Sequence, residues 1–158
     1  MSPRAAWRLE SLGFGEVYDY VAGKVDWLAF GLPREGDEAA TPRAGDIARR
    51  DVPTCAPSDR IGTVRERVEA AGWDQCLVAN DERVVLGRLR GTALSADAKA
   101  RAEEVMEAGP TTVRPDERLS DLATRLRERD VASIVVTMPD GRLVGQLLRD
   151  DAERLGAV

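Results

Sequence analysis

The chain writes one unit twice. Thr54 and Pro57 recur as Thr112 and Pro115, and Val78, Gly87 and Leu89 recur as Val136, Gly145 and Leu147, every pair 58 residues apart with no gap. The apolar positions between these anchors agree as well: Ile61 with Leu119, Val64 with Leu122, Val68 with Leu126, Cys76 with Ile134, Val85 with Leu143. Internal repetition constrains architecture before any local propensity does, because each unit has an apolar face that its copy is suited to cover. Two similar units in one chain are expected to pack face to face, leaving a pair of related clefts between them, and such clefts are where ligands bind.

The second copy shows the unit more clearly. Thr111 to Pro115 reads as a short extended segment ended by proline. Asp116 is placed to cap a helix over about Glu117 to Arg129, whose residues Leu119, Leu122, Ala123 and Leu126 form one apolar stripe. Val131 to Thr137 is β-branched and apolar, as a buried strand is. Pro139-Asp140-Gly141 supplies a tight turn, and Arg142 to Leu147 returns as a strand. A short helix follows from Arg149 to Leu155. The first copy repeats this order: Val52 to Ala56 extended, a helix over Arg60 to Ala71 capped by Ser58 or Asp59, and a strand over Gln75 to Ala79. Then come a turn at Asn80-Asp81-Glu82, a return strand over Arg83 to Leu89 and a helical segment near Thr92 to Leu94. Ala98 to Glu107 reads as a helix joining the copies.

On these residues the pair resembles tandem CBS domains. The likeness is carried by Val105 to Pro115, by the strand Ile134 to Thr137, and by Pro139 to Gly145 leading to Arg149-Asp150-Asp151, and it covers roughly residues 46 to 155. It implies an α+β fold: two β-α-β-β-α repeats packed through their sheets as a pseudo-two-fold pair, a regulatory rather than catalytic role, and an adenosine-type ligand held in a cleft. In the ligand-binding members a hydroxyl residue follows the return strand and an acid three positions on holds the ribose. Mapped onto this chain, the second copy has Leu148 and Asp151 at those positions, and the first has Arg90 and Ala93. The resemblance therefore implies ligand contacts at Thr112, Val113 and Ser133 for the base, and at Leu148, Arg149 and Asp151 for the ribose and phosphate end. A carboxylate suits vicinal hydroxyls, and arginines such as Arg149, Arg90 and Arg114 suit phosphate. Each residue also has a plainer role. An acid in the first turn of a helix is favoured by the helix dipole; arginines commonly decorate a solvated face; Trp73 can cover a core edge instead of stacking on a base.

Composition narrows the alternatives. The net charge is −5, against the basic footprint that nucleic acids and anionic membranes require. Histidine is absent, which removes imidazole acid–base catalysis and histidine metal ligation. Cys55 and Cys76 fall at apolar positions of the repeat and read as small buried hydrophobes. No apolar run approaches the roughly 18 residues of a membrane span, and the N-terminus lacks a signal-peptide core, so a cytoplasmic protein is expected.

Residues 1 to 36 lie outside the repeat. They read as a helix over Pro3 to Leu12, a strand over Glu16 to Val21 and a helix over Gly23 to Phe30, a short α/β extension followed by a polar linker over 37–45. Ser2 to Ala6, Leu12-Gly13-Phe14, Val17 to Tyr20, Asp26-Trp27 and Gly31-Leu32-Pro33 resemble the tail of a rhodanese-like domain. The family's catalytic cysteine loop precedes that tail, and neither Cys55 nor Cys76 stands in its place, so the resemblance implies a catalytically silent remnant, not a sulfurtransferase. The expected organisation is 1–36 extension, 37–45 linker, 46–97 first repeat and 98–158 second repeat. The expected function is a regulatory module that needs no cofactor, takes an adenine nucleotide or S-adenosylmethionine as ligand, forms a homodimer and signals to an effector protein on another chain. The alternative is a nucleotide-independent dimerisation or interaction scaffold.

Overall fold

The computed structural model describes residues 3–36 and 39–156. Among these the helices are α1 (Pro3–Ser11), α2 (Gly23–Ala29), α3 (Ala44–Ile47), α4 (Ile61–Ala71), α5 (Ala102–Val105), α6 (Leu119–Glu128) and α7 (Arg149–Gly156). The strands are β1 (Thr54–Cys55), β2 (Gln75–Ala79), β3 (Val85–Arg90), β4 (Glu107–Ala108), β5 (Thr112–Val113), β6 (Ser133–Thr137) and β7 (Leu143–Leu148). They form two small sheets, ordered β1-β2-β3-β4 and β5-β6-β7. In each, a parallel pair is followed by an antiparallel one, with a register irregularity at matching places, Val78/Ala79 and Val136/Thr137. None of the described helices is long and apolar enough to cross a membrane.

The apolar stripes form two cores. Ile61, Val64 and Val68 of α4 pack with Cys76, Val78 and Leu89, while Leu119, Leu122 and Leu126 of α6 pack with Val136 and Leu147. Burying each such side chain contributes about 1.5–3 kcal/mol. A third cluster, Val52, Leu77, Val135 and Leu143, joins the sheets, with Val85 and Trp73 against it. Leu77 and Val135 are repeat mates, as are Val85 and Leu143, so this seam lies on the pseudo-two-fold axis. Val84 and Arg142, also mates, bridge across it. The Val85 amide donates to Gly141 at 3.1 Å, and the Leu143 amide donates to Arg83 at 2.9 Å.

The symmetry includes a reciprocal crossover. The segment before each repeat docks on the other repeat. Ala44 and Gly45 donate to the carbonyls of Glu117 and Pro115 at 2.9 and 3.0 Å; their mates Ala102 and Glu103 donate to Asp59 and Pro57 at 2.9 and 3.0 Å. Arg49 then pairs with Gln146 at the edge of the second sheet, as Glu107 of β4 pairs with Arg88 at the edge of the first. Both docking helices start alike: the Arg43 amide donates to Asp46 at 2.9 Å and the Arg101 amide to Glu104 at 2.8 Å. Gly87 and Gly145 permit the close approach. A Cβ at Gly145 would stand 2.5 Å from the Arg49 carbonyl oxygen, and one at Gly87 would stand 2.4 Å from Met106 Sδ. Ala44 and Gly45, assigned from sequence to the end of the polar linker, are thus buried against the second repeat.

Several local expectations change. The strand over Glu16–Val21 does not form. Its alternation had no neighbouring edge to pair with, and a lone strand has no ladder to hold it. The segment instead folds on itself: Tyr20 meets Trp27 edge to face at 5.3 Å, its hydroxyl donates to Asp26, and Trp27 Nε1 donates to the Pro33 carbonyl at 2.7 Å. Through Leu28 and Ala29, α2 is seated on the body, whereas α1 buries no residue. The joining helix over Ala98–Glu107 shrinks to the single turn of α5, because Met106 turns extended to feed β4. Thr92–Leu94 forms turns rather than helix. The helix caps are Arg60 and Arg118, in extended conformation, not Asp59 or Asp116. Asp59 does other work: it and Glu117 accept the amides of Ala56 and Arg114, both at 3.2 Å, and tie down the turns that precede α4 and α6.

Candidate functional site

A cleft of about 610 Å3 opens where the two repeats meet. One wall is the second repeat: Thr112 and Val113 of β5, Ser133 of β6, and Glu117, Arg125 and Arg129 around α6. The other wall is Arg88 and Arg90 of β3, from the first repeat. The packing of the sheets, not the chain order, therefore decides which residues share a cleft.

The chemistry of the second-repeat wall starts at Ser133. Its hydroxyl oxygen accepts Gln146 Nε2 at 2.8 Å and Gln75 Nε2 at 3.3 Å. Both lone pairs are then engaged, and its own proton is left to donate. Val113 is buried and offers the cleft backbone and methyl surface, while Thr112 is half-buried. On the opposite wall Arg88 and Arg90, two apart on a strand, share a face. One carboxylate bridges them: Glu107 lies 2.8 Å from Arg88 Nη2 and 3.3 Å from Arg90 Nε. The hydrogen bond from Arg88, and then that from Arg90, holds the Glu107 carboxyl below its ordinary value. Arg88 Nε is buried and has no partner among the described residues.

The remaining residues singled out from sequence are not among those lining this cleft. Asp151 is 8% exposed, and its two oxygens are taken. Arg49 reaches Oδ2 with Nε and Nη2, both at 2.8 Å, and Arg154 reaches Oδ1 at 2.7 Å. Leu148 lies beside Ser133 across the β6–β7 ladder. Arg149 pairs at 2.9 Å with Asp130 on the cleft rim, and that contact raises the basicity of the guanidinium. Arg114 is spent inside the fold, donating from Nη1 to the Thr137 hydroxyl at 2.6 Å and to the Thr137 and Met138 carbonyls. Of the three arginines considered for phosphate, only Arg90 lines the cleft. Arg88, which sequence reasoning passed over, lines it too; its alternation with Arg90 along β3 was the signal available. Trp73 packs against two core clusters as a core-edge residue. Cys55 and Cys76 are free and buried. The neighbouring Cys55 thiol, and then burial, push the Cys76 thiol up, so it stays protonated.

Comparison with known proteins follows the same division. Residues 102–155 match the family model described as CBS domain. No curated protein matches the chain, and nothing in the comparisons supports the likeness of residues 1–36 to a rhodanese-like tail. Among solved structures, the cytosolic domain of the Mg2+ channel MgtE in complex with ATP superposes with a TM-score of 0.65 at 22% identity, over 72% of this chain and 48% of that one, so this chain spans about half its length. CBSX2 of Arabidopsis thaliana in complex with AMP gives 0.63 at 23% identity, covering 72% and 94%. The CBS domain pair of protein MJ0100, in complex with 5'-methylthioadenosine and S-adenosyl-L-methionine, gives 0.61 at 19% identity, covering 74% and 97%. The chain thus has the mixed α/β fold of CBS-pair structures, and its residues 102–155 match the CBS domain.

Proposed function

We propose that this protein is a non-catalytic regulatory module that binds an adenosine-type nucleotide in the cleft between its repeats. The observation that carries the reading is the 610 Å3 cleft, built from both repeats with hydroxyl donors on one wall and arginines on the other. The structures it resembles hold ATP, AMP or S-adenosylmethionine. Thr112, Val113 and Ser133 face the base, and Arg88 and Arg90 face the phosphates. In this reading the organisation is 46–97 and 98–158 as the two repeats, each completed at its sheet edge by the segment that leads into the other. Asp151 serves a ribose only where Arg49 and Arg154 release it, so its first role is to hold the crossover in place. A ligand that bridges both walls stabilises the closed seam, and any partner chain is biased only through the difference in affinity between open and closed forms.

The test is thermal unfolding of the whole chain with adenosine, AMP, ADP, ATP and S-adenosylmethionine. At a free concentration of 100 Kd a binder adds about 2.7 kcal/mol, which raises Tm by roughly 5–10 °C for a chain of this length. No shift with any of them at millimolar concentration removes the reading. A second reading, an interaction scaffold, is favoured by one observation: Trp7, Leu12, Phe14, Tyr18, Val21 and Phe30 are exposed on the N-terminal segment, an apolar surface of the kind that marks contacts with other proteins. Light scattering of the full chain against one lacking residues 1–36 distinguishes the two. A drop in oligomer size on deletion, with no nucleotide response in either form, favours the scaffold.

A further inference from the structure

The wall made by Arg88 and Arg90 is charged in a way that its repeat mate is not. The mates are Gln146 and Leu148, which are neutral, and Gln146 is buried at 1% exposure. In the open cleft the lining contains four arginines, Arg88, Arg90, Arg125 and Arg129, against the two acids Glu117 and Asp130. Both acids already have guanidinium partners: Arg125 holds Glu117 at 2.6 Å, and Arg149 holds Asp130 at 2.9 Å. Arg88 and Arg90 instead share the single carboxylate of Glu107, which belongs to the crossover strand β4 and is not a lining residue. The Arg90 side chain is 54% exposed and Glu107 50%, so the bridge is open to exchange with a solute anion. Arg88 Nε, buried without a partner among the described residues, is a donor that the protein itself leaves unused, and such groups call for an acceptor.

From this arrangement we infer that the cleft selects a multiply anionic nucleotide, a di- or triphosphate, over a neutral nucleoside or a sulfonium, with Arg88 and Arg90 setting the selectivity and Glu107 acting as an internal anion that the phosphate chain displaces. The inference rests on the reading of the cleft as a nucleotide site. Residues two apart on a strand are set about 6.6 Å apart along the backbone, and both guanidiniums already converge on one carboxylate, so oxygens of neighbouring phosphoryl groups lie within their joint reach. Guanidinium–phosphate bonds are charge-assisted and bidentate, stronger than the carboxylate bridge they replace because the incoming group carries more charge. A sulfonium placed in the same cleft faces like charge.

Calorimetric titration of the intact chain at fixed ionic strength tests this with ATP, AMP, adenosine, S-adenosylmethionine and inorganic triphosphate. ATP is expected to bind at least about 10-fold more tightly than AMP, and about 100-fold more tightly than adenosine or S-adenosylmethionine. Arg90→Gln lowers ATP affinity about 10-fold and leaves adenosine unchanged; Glu107→Gln raises ATP affinity about 3-fold or more. Arg142→Gln, in a separate cavity with Arg50 and Arg83, leaves it unchanged. If Arg90→Gln unfolds the protein, the gain in Glu107→Gln decides alone. Adenosine or S-adenosylmethionine binding as tightly as ATP, or ATP affinity indifferent to both substitutions, overturns the selectivity while the nucleotide reading stands. Inorganic triphosphate that binds and is weakened by Arg90→Gln, with no adenosine compound binding, overturns the nucleotide reading and keeps the anion selectivity. Silence from every probe overturns both.

Discussion

Positions 49 and 107 are repeat mates with opposite charges, and the two sides of the molecule diverge from there. Arg49 pairs by backbone with Gln146 and by side chain with buried Asp151. Glu107 pairs by backbone with Arg88 and by side chain with Arg88 and Arg90. The backbone contact recurs on both sides, within the strand β4 at Glu107 and as a single bridge at Arg49, while the electrostatics are inverted. On the Arg49 side the ion pair is three-membered and holds an inward-facing acid. On the Glu107 side the carboxylate sits outside and the cations point toward a cleft. The repeat supplies the shared geometry, and a few charged positions set the two crossovers apart: one holds a buried acid, the other an exposed carboxylate between two arginines that line the cleft.

The comparison is most severely tested in the cores. Ile61→Ala and Leu119→Ala remove mates that are both 0% exposed, and each is expected to cost about 2–5 kcal/mol in denaturant unfolding. Equal losses in a single transition show that the repeats fold as one unit; two transitions break the symmetry. The glycines under the crossovers come next. Gly145→Ala drives a Cβ into the backbone of Arg49, whereas Gly87→Ala meets mainly the flexible end of Met106. The first is expected to cost about 1–3 kcal/mol and the second less, and a reversed order would mean that the two crossovers differ in rigidity as well as charge.

Asp151→Ala separates fastener from site. It removes charge-assisted bonds worth about 1–2 kcal/mol, with Arg49 and Arg154 able to rehydrate since their side chains are 46% and 70% exposed. A fall in Tm with unchanged ATP affinity is the expected result, and a loss of affinity at unchanged Tm assigns Asp151 to the ligand. The helix ends differ more subtly. Gly72 caps α4 at φ 69°, whereas its mate Asp130 takes φ 49° one residue beyond Arg129, the cap of α6. Gly72→Ala has open space around the added methyl, so the loss of about 1 kcal/mol expected from the left-handed conformation reads strain alone, and thermal denaturation measures it. The smallest effect is in pH. The folded-state value of Glu107 is lowered by Arg88 and Arg90, so the bridge contributes fully above the ordinary value of 4.5 and is lost as pH falls below that through the lowered range. A carboxyl-carbon NMR titration of Glu107 is expected to show a midpoint below 4.5; a midpoint at or above it means the bridge does not persist in solution.

Much of the fold was legible because it is written in short periods. The stripe Leu119, Leu122, Ala123 and Leu126 and the β-branched run Val131 to Thr137 place α6 and β6 within two residues of where they form, and the offset of the repeat carries the same reading to α4 and β2. The local misreadings share a cause. Glu16–Val21 alternates like a strand but has no partner edge, Ala98–Glu107 has helical composition but is pulled extended by the sheet it must join, and Asp116 looks like a cap but lies two residues before Arg118, where the chain turns helical. In each, a tertiary demand outweighed a local preference.

The sequence by itself determined that this protein is a duplicated unit, the order of elements in each copy and the apolar faces that join them, because those rest on neighbours within a turn or a strand. Only the tertiary structure decided that the segment ahead of each copy meets the sheet edge of the other, as the strand β4 in one case and as a single bridge at Arg49 in the other, that Arg88 and Arg90 confront Thr112 and Ser133, and that Asp151 is held by an arginine 102 positions away. Those pairings depend on how two curved sheets meet across the pseudo-two-fold axis, and periodicity along a chain holds no information about which distant side chain will stand opposite.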